Sequence, residues 1–153
     1  MDLSNKKTAI IVITTILWLV ITFLGWNNQY LVSMYLGVVL MLLYMMLGVA
    51  KQGKLSKKLL LYSLIPWAVL WIASFYLADY YAALFAGVMP SFTLLGFHPS
   101  FAATVIGYWI GGMLTLTLMY YIFKDEWLSE KDWNDFIEKI EAIKESEKGG
   151  AHQ

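Results

Sequence analysis

The sequence contains the stretch TAIIVITTILWLVITFLGW at residues 8–26, which carries no charged side chain. A helix of about 20 apolar residues is long enough to cross the hydrocarbon core of a bilayer. Three more uncharged runs of similar length follow, at residues 30–50, 59–78 and 101–123. These runs predict an all-α integral membrane bundle of about four transmembrane helices within residues 1–123. A soluble tail, residues 124–153, follows it.

Segments that contain lysine alternate along the chain with connections that contain none. They lie before the first run, between the second and third, and after the fourth: Lys6, Lys7, Lys51, Lys54, Lys57, Lys58 and Lys124. Residues 27–29 and 79–100 contain no lysine. Because lysine-bearing loops stay in the cytoplasm, this pattern predicts a multi-pass protein of the plasma or inner membrane with both termini cytoplasmic.

Residues 80–100 are apolar and aromatic but contain four helix-breaking residues, Gly87, Pro90, Gly96 and Pro99. These breakers argue against one more straight helix. We expect a short helix followed by an irregular segment at the outer interface, and whether that segment is helical or re-entrant stays open. Irregular backbone exposed to the lipid core is excluded, because its polar groups would be unpaired.

Composition narrows the chemistry that the chain can perform. It has no cysteine and no arginine, and its apolar runs contain no serine, threonine or histidine set arranged for nucleophilic catalysis. No basic face or nucleic-acid-binding motif is present. We therefore expect a protein that is not an enzyme, holds no cofactor or metal, and binds no nucleic acid.

Two ionisable residues, Asp79 and His98, lie near the predicted outer ends of the helices. They are candidates for an outer vestibule that attracts cations; the alternative for Asp79 is an interfacial carboxylate in contact with water and headgroups. The only other histidine, His152, is expected on the opposite side of the membrane. One histidine cannot build a zinc or bis-histidine haem site.

Small residues recur every fourth position in the last apolar run: Ala103, Gly107, Gly111 and Thr115. Residues four apart share one face of a helix, and small residues on that face let another helix backbone approach closely in lipid. The pattern predicts a helix-packing stripe. Its partner is either another helix of this chain or a different protein, and the sequence does not decide between them.

The tail contains a second pattern that predicts association. Ser129 and Asp132 have the spacing of a capping box, and five apolar residues then follow at helical spacing: Trp133, Phe136, Ile137, Ile140 and Ile143. Residues 124–148 carry nine acidic and five basic side chains, a net charge of −4. An acidic amphipathic helix is better suited to protein than to anionic lipid. It either covers the cytoplasmic end of its own bundle or docks on a partner.

The stretch from Pro66 to Asp125 resembles a known family. Residues 89–99, MPSFTLLGFHP, lead into the last apolar run, which ends in YYIFKD at residues 120–125. This is similar to the small membrane subunits found alongside sodium:solute symporters, in which a turn of the form T-L-x-G-[hydrophobic]-P precedes the last helix. This chain departs from that pattern in having four predicted helices where those subunits have two, and in having His98 before Pro99.

The resemblance implies an accessory role beside a sodium-coupled permease. The residues lead to a compatible expectation, because a chain with few intramembrane charges, a packing stripe and an amphipathic tail is suited to assembly. We expect a non-catalytic accessory subunit that stabilises or regulates a larger membrane transporter within the bilayer. The alternative is a self-contained small homo-oligomeric transporter or channel.

Overall fold

The structure is a computed structural model that describes residues 2–51 and 53–150. Its helices are α1 (Lys7–Trp26), α2 (Tyr30–Gly48), α3 (Lys57–Leu84), α4 (Pro99–Ile122), α5 (Lys124–Trp127) and α6 (Glu130–Gly150), with a short 3₁₀ turn at Ser4–Lys6. Residues 151–153 of the predicted tail, with His152 among them, lie outside the described residues.

The four helices α1 to α4 are long and apolar enough to span a membrane. The described residues form helices, turns and isolated bridges, with no strand among them. The expected all-α class with four long apolar helices is therefore confirmed. Large apolar side chains such as Leu19 and Trp26 are 69% and 85% exposed on the outside of this bundle, a distribution suited to an apolar surrounding.

Two helices differ in length from the apolar runs that predicted them. Helix α3 continues to Leu84 and so includes the short helix expected after residue 80. Helix α4 begins at Pro99, since proline is preorganised for the first helical position and lacks the N–H that would be unpaired there. The residues between them form turns rather than a further helix.

Each long helix packs against its neighbour in sequence, α1 on α2, α2 on α3 and α3 on α4. The centre of the bundle is a buried cluster of Val38, Trp67 and Ala68, with Leu116 of α4 packed against it. Pro66 cannot donate a backbone hydrogen bond, and the preceding residues Leu60–Leu64 form a π-turn that carries the helix past it.

The lysine-bearing segments meet at one end of the bundle. The Leu3 backbone N–H donates to the Gly53 carbonyl at 2.7 Å, which joins the N-terminal residues to the α2–α3 loop. Lys58, at the start of α3, forms an ion pair with Glu126 of α5 at 2.9 Å. The N-terminal residues, this loop and the start of the tail therefore share one end, as an even number of crossings requires.

The lysine-free connections lie at the opposite helix ends. The α3–α4 connection contains a tight turn in which Leu94 and Phe97 exchange two backbone hydrogen bonds. Leu95 and Gly96 between them both have positive φ, 51° and 79°, as the two central residues of a type I′ turn require. Phe92 contacts Phe85, so the connection folds back onto the end of α3.

Candidate functional site

Helix α4 packs its small-residue stripe against α3 of the same chain. A Cβ added at Gly107 would lie 1.9 Å from Ser74 Oγ, and one added at Gly111 would lie 2.1 Å from Leu70 Cδ2. Real Cβ atoms essentially never approach so closely. The structure thus places these two glycines in a close intramolecular helix contact.

The backbone of α4 is matched to the four-residue repeat. In a regular α-helix each residue advances by about 100°, so a four-residue step drifts by about 40° and three steps by about 120°. Helix α4 is instead a π-helix over Thr104–Gly111 and Leu114–Leu118. Because π-turns hold more residues than α-turns, they reduce this drift and keep Gly107 and Gly111 on the same side.

The other two members of the stripe lie at its ends. Ala103 is half-buried and borders an apolar groove of about 310 Å³ between α3 and α4. Thr115 donates from its hydroxyl to the Gly111 carbonyl at 2.8 Å, while its own carbonyl accepts from the Ser63 hydroxyl of α3 at 2.8 Å. The stripe is thus completed by a hydrogen bond between the helices.

An aromatic cluster fills the same interface. Trp71 of α3 packs against Tyr108 of α4 in a tilted arrangement with ring centroids 4.0 Å apart, and the ring centroid of Trp67 lies 4.5 Å from that of Trp71. A Cβ added at Gly112 would lie 2.9 Å from Trp71 Nε1. Gly112 is therefore a third close contact, which the four-residue pattern omits.

Two indole donors in this cluster lack partners. Nε1 of Trp67 and Nε1 of Trp71 are buried and form no hydrogen bond within the described residues. Trp67 is only 1% exposed, and an unpaired donor in an apolar interior costs free energy. These indoles serve the interface through their aromatic area rather than through hydrogen bonding.

Asp79 and His98 have separate local environments. Asp79 is exposed on α3. His98 is half-buried; its Nδ1 accepts from the Ser100 N–H at 3.2 Å, which caps α4, and its ring packs edge-on to Phe85. No hydrogen bond or ion pair joins Asp79 to His98 in the described part of the chain. The described residues also contain no group of three histidine, aspartate or glutamate side chains that could hold a metal ion.

The first turn of α6 is capped and tied to the α2–α3 loop. The Ser129 N–H donates to Asp132 Oδ2 at 2.8 Å, and the Asp132 N–H donates to Ser129 Oγ at 3.4 Å, the two bonds of a capping box. The same carboxylate forms an ion pair with Lys51. The bonds from Lys51 and Ser129 hold the pKa of Asp132 well below its usual range.

A second ion pair supports the first. Lys58 and Ser56 hydrogen-bond the Glu126 carboxylate and lower its pKa. Lys51, Glu126 and Asp132, together with Trp127, line a cleft of about 640 Å³ between the loop and the tail. The side chains of both ion pairs are accessible to solvent. Salt therefore screens the pairs, and each contributes modestly to stability. The two pairs join the tail to the lysine-bearing end of the bundle.

The apolar stripe of α6 lies beyond this attachment. Trp133 and Phe136 are each 52% exposed, with their rings 5.9 Å apart. Ile143 is also exposed, while Ile137 and Ile140 are half-buried. The stripe therefore presents large apolar side chains on a helix whose mean composition is polar and charged.

Comparison of the chain with protein-family models, with curated proteins and with solved structures gives no match.

Proposed function

We propose that α1 to α4 cross a cell membrane, plasma or inner, with the lysine-bearing end in the cytoplasm. The length and hydropathy of the four helices support this, as does the meeting of the N-terminal residues, the α2–α3 loop and the tail at one end. Positively charged segments remain on the cytoplasmic side of a bilayer. Helices α5 and α6 then form a cytoplasmic tail.

We further propose that the chain is a non-catalytic accessory subunit that stabilises or regulates a larger membrane transporter. This proposal rests on the exposed apolar stripe of α6, which begins with Trp133 and Phe136. The small-residue stripe of α4 is used inside the chain, against Ser74 and Leu70. Helix α6 is thus the element with large apolar side chains on the aqueous side of the bundle.

The transporter class comes from the resemblance of residues 66–125 to the subunits found alongside sodium:solute symporters. A sodium:solute symporter is accordingly the partner that we would test first. The resemblance concerns α3 from Pro66 onward, the α3–α4 connection, α4 and the first residues after it, whereas the docking surface that we propose is on α6, so each can be tested separately.

The alternative of a self-contained transporter requires a polar path through the bundle. A pore in this bundle would need hydroxyl groups such as that of Thr115 to line it, but the Thr115 hydroxyl donates to the Gly111 carbonyl and lies at the α3–α4 contact. Asp79 is exposed on α3, at the end away from the lysines. These positions favour the accessory role over a pore lined by the same groups.

The test is purification from native membranes in mild detergents, with a tag at the N-terminus. We expect a larger membrane protein to accompany the wild-type chain in constant ratio. Phe136→Glu, which places a charge in the stripe, should remove it. The matched control Ala142→Glu, on the opposite face of α6, should retain it. Recovery of the chain alone across several detergents would count against the accessory role.

A further inference from the structure

The groove between α3 and α4 is apolar and open on the side of the bundle. Leu70, Ala73 and Leu77 belong to its α3 wall, and Ala103 and Ile106 belong to its α4 wall. Leu77 and Ile106 are 40% and 42% exposed. The groove is therefore in contact with whatever surrounds the bundle.

Two polar side chains, Ser74 and Tyr81, line the groove among the described residues. Ser74 is 3% exposed, and its hydroxyl donates to the Leu70 carbonyl at 2.7 Å. Tyr81 lies at the end of the groove that is nearer to the α3–α4 connection. An ordered water needs two or more polar partners, which the apolar walls do not supply. The groove is suited to hydrocarbon rather than to water.

The dimensions of the groove match one acyl chain. Its α3 wall extends from Leu70 to Tyr81, about 16 Å along the helix, which is about half of a hydrocarbon core of about 30 Å. A volume of about 310 Å³ over this length corresponds to a width of about 4 Å. One hydrocarbon chain has this width, because carbon atoms in contact lie about 4 Å apart. A helix is about 10–12 Å across and would extend through both leaflets.

We propose that this groove binds one acyl chain of a phospholipid in the outer leaflet, with the headgroup at the level of Tyr81. This inference rests on the proposed membrane crossing, because that crossing puts Tyr81 at the outer interface and Leu70 near the middle of the bilayer. Tyrosine is common at this interface, where its ring lies in an apolar setting and its hydroxyl meets water. The bound chain supplies the dispersion contacts that an empty groove lacks.

The site selects the chain of the lipid and not the charge of its headgroup. Residues 79–100 contain no lysine or arginine that could pair with a phosphate. Asp79 lies about 160° around α3 from Leu77 and so faces away from the groove. His98 Nδ1 accepts from the Ser100 N–H. Binding should therefore depend on chain length and be nearly independent of headgroup charge.

The experiment counts the phospholipids that stay on the full chain, by native mass spectrometry from an uncharged detergent. The lipids offered are phosphatidylcholine and phosphatidylglycerol with palmitoyl chains, and phosphatidylcholine with hexanoyl chains. We expect one palmitoyl lipid per chain with either headgroup and none with hexanoyl chains, which are too short to fill about 16 Å at about 1.2 Å per bond. Retention of phosphatidylglycerol alone, or equal retention of the short and long chains, would overturn the inference.

Three matched variants locate the lipid. Ala73→Leu and Ala103→Leu fill the groove from its two walls, and each should abolish retention of the palmitoyl lipid. Ala83→Leu is the control, because it makes the same change at an exposed position about 160° around α3 from Tyr81, and it should retain the lipid. Circular dichroism checks that each variant keeps the helical content of the wild type. Retention by a folded Ala73→Leu or Ala103→Leu equal to that of Ala83→Leu would contradict the site.

A second measurement keeps the protein in a bilayer. Phosphatidylcholine with a photoactivatable diazirine in its palmitoyl chain is crosslinked to the full chain in nanodiscs. We expect more crosslinks on the groove residues than on the outward face of α1 around Leu19, which is 69% exposed. Ala73→Leu should lower the groove crosslinks to the α1 level. Equal crosslinking of the two faces in the wild type would overturn the inference.

Further outcomes separate this inference from the proposed function. If single-cysteine labelling finds four crossings but the wild-type chain shows neither a retained lipid nor crosslinks in the groove, the crossing stands and the lipid site is wrong. If Ala73→Leu keeps the lipid and loses the larger membrane protein that accompanies the wild type, a partner helix occupies the groove. That result supports the accessory role and overturns the lipid site.

Discussion

Gly107→Ala tests whether the α3–α4 contact holds the bundle together. The added Cβ would lie 1.9 Å from Ser74 Oγ and 3.0 Å from Ser74 Cβ, whereas ordinary contacts begin at 3.4 Å. Rotating the Ser74 hydroxyl away would break its 2.7 Å hydrogen bond to the Leu70 carbonyl and would leave the Cβ overlap unrelieved. The Ser74 hydroxyl must therefore rotate, and the two Cβ atoms must also move apart by a few tenths of an ångström.

The magnitude follows from this overlap. Overpacking a close-packed contact by one methyl group typically costs about 1–3 kcal/mol, and we expect a loss of that size for Gly107→Ala. Gly37→Ala on α2 is the matched control, because its Cβ would meet nothing within 4 Å. Removing a flexible glycine from an open helical position should instead stabilise the protein by about 0.5–1 kcal/mol.

The assay is reversible unfolding in mixed micelles at increasing mole fractions of sodium dodecyl sulfate, followed by circular dichroism. A double variant, Gly107→Ala with Ser74→Gly, moves the small residue to the other helix. The nearest remaining atom is then the residue 74 Cα at 3.8 Å, an ordinary contact. We expect it to regain most of the lost stability. Equal unfolding of Gly107→Ala and Gly37→Ala would refute the close contact.

Three further predictions use the same protein. Trp67→Phe should cost about 1 kcal/mol or less in unfolding free energy, because it removes an unpaired buried donor, whereas Trp67→Ala should cost about 3–5 kcal/mol. Ser63→Ala should cost about 0.6 kcal/mol in the same assay by removing the hydrogen bond to the Thr115 carbonyl. Because the pKa of Asp132 is lowered, its pairing with Lys51 should be complete above the ordinary carboxyl pKa of about 3.9 and lost only as the pH falls well below it. Spin labels in the α2–α3 loop and in α6 should report a lengthening distance at that acidic pH, and an unchanged distance would contradict the pairing.

The helix count follows from the sequence because only a helix satisfies its own backbone over 20 apolar residues. Helix ends are less predictable. The run 59–78 stops at Asp79, yet α3 continues to Leu84, since one carboxylate near a helix end can remain exposed. A charged residue ends the uncharged run in the sequence, but it does not end the helix.

The site was predictable in its residues but not in its contacts. The four-residue repeat identified Gly107 and Gly111, while the choice between an internal and an external partner needed the position of α3. Gly112 was missed, because it lies outside the four-residue repeat and its neighbour Trp71 belongs to α3, so no spacing within α4 indicates the contact. The capping box of α6 was readable from local spacing.

The attachment of the tail was beyond sequence reasoning. Lys51 and Asp132 lie 81 residues apart, and nothing in their local sequences relates them. The same holds for Lys58 and Glu126, 68 residues apart. Such pairs depend on how the helices return to one end, so they become visible only in three dimensions.

The topology is tested most directly by labelling single cysteines in intact cells with a membrane-impermeant maleimide, since the chain has no cysteine of its own. Met89→Cys lies in the α3–α4 connection at a position that is 92% exposed, and we predict that it is labelled from outside. Lys54→Cys in the α2–α3 loop and Asn134→Cys in α6 should be labelled only after permeabilisation. Labelling of Lys54→Cys and Asn134→Cys from opposite sides would contradict the four crossings and the cytoplasmic position of α6.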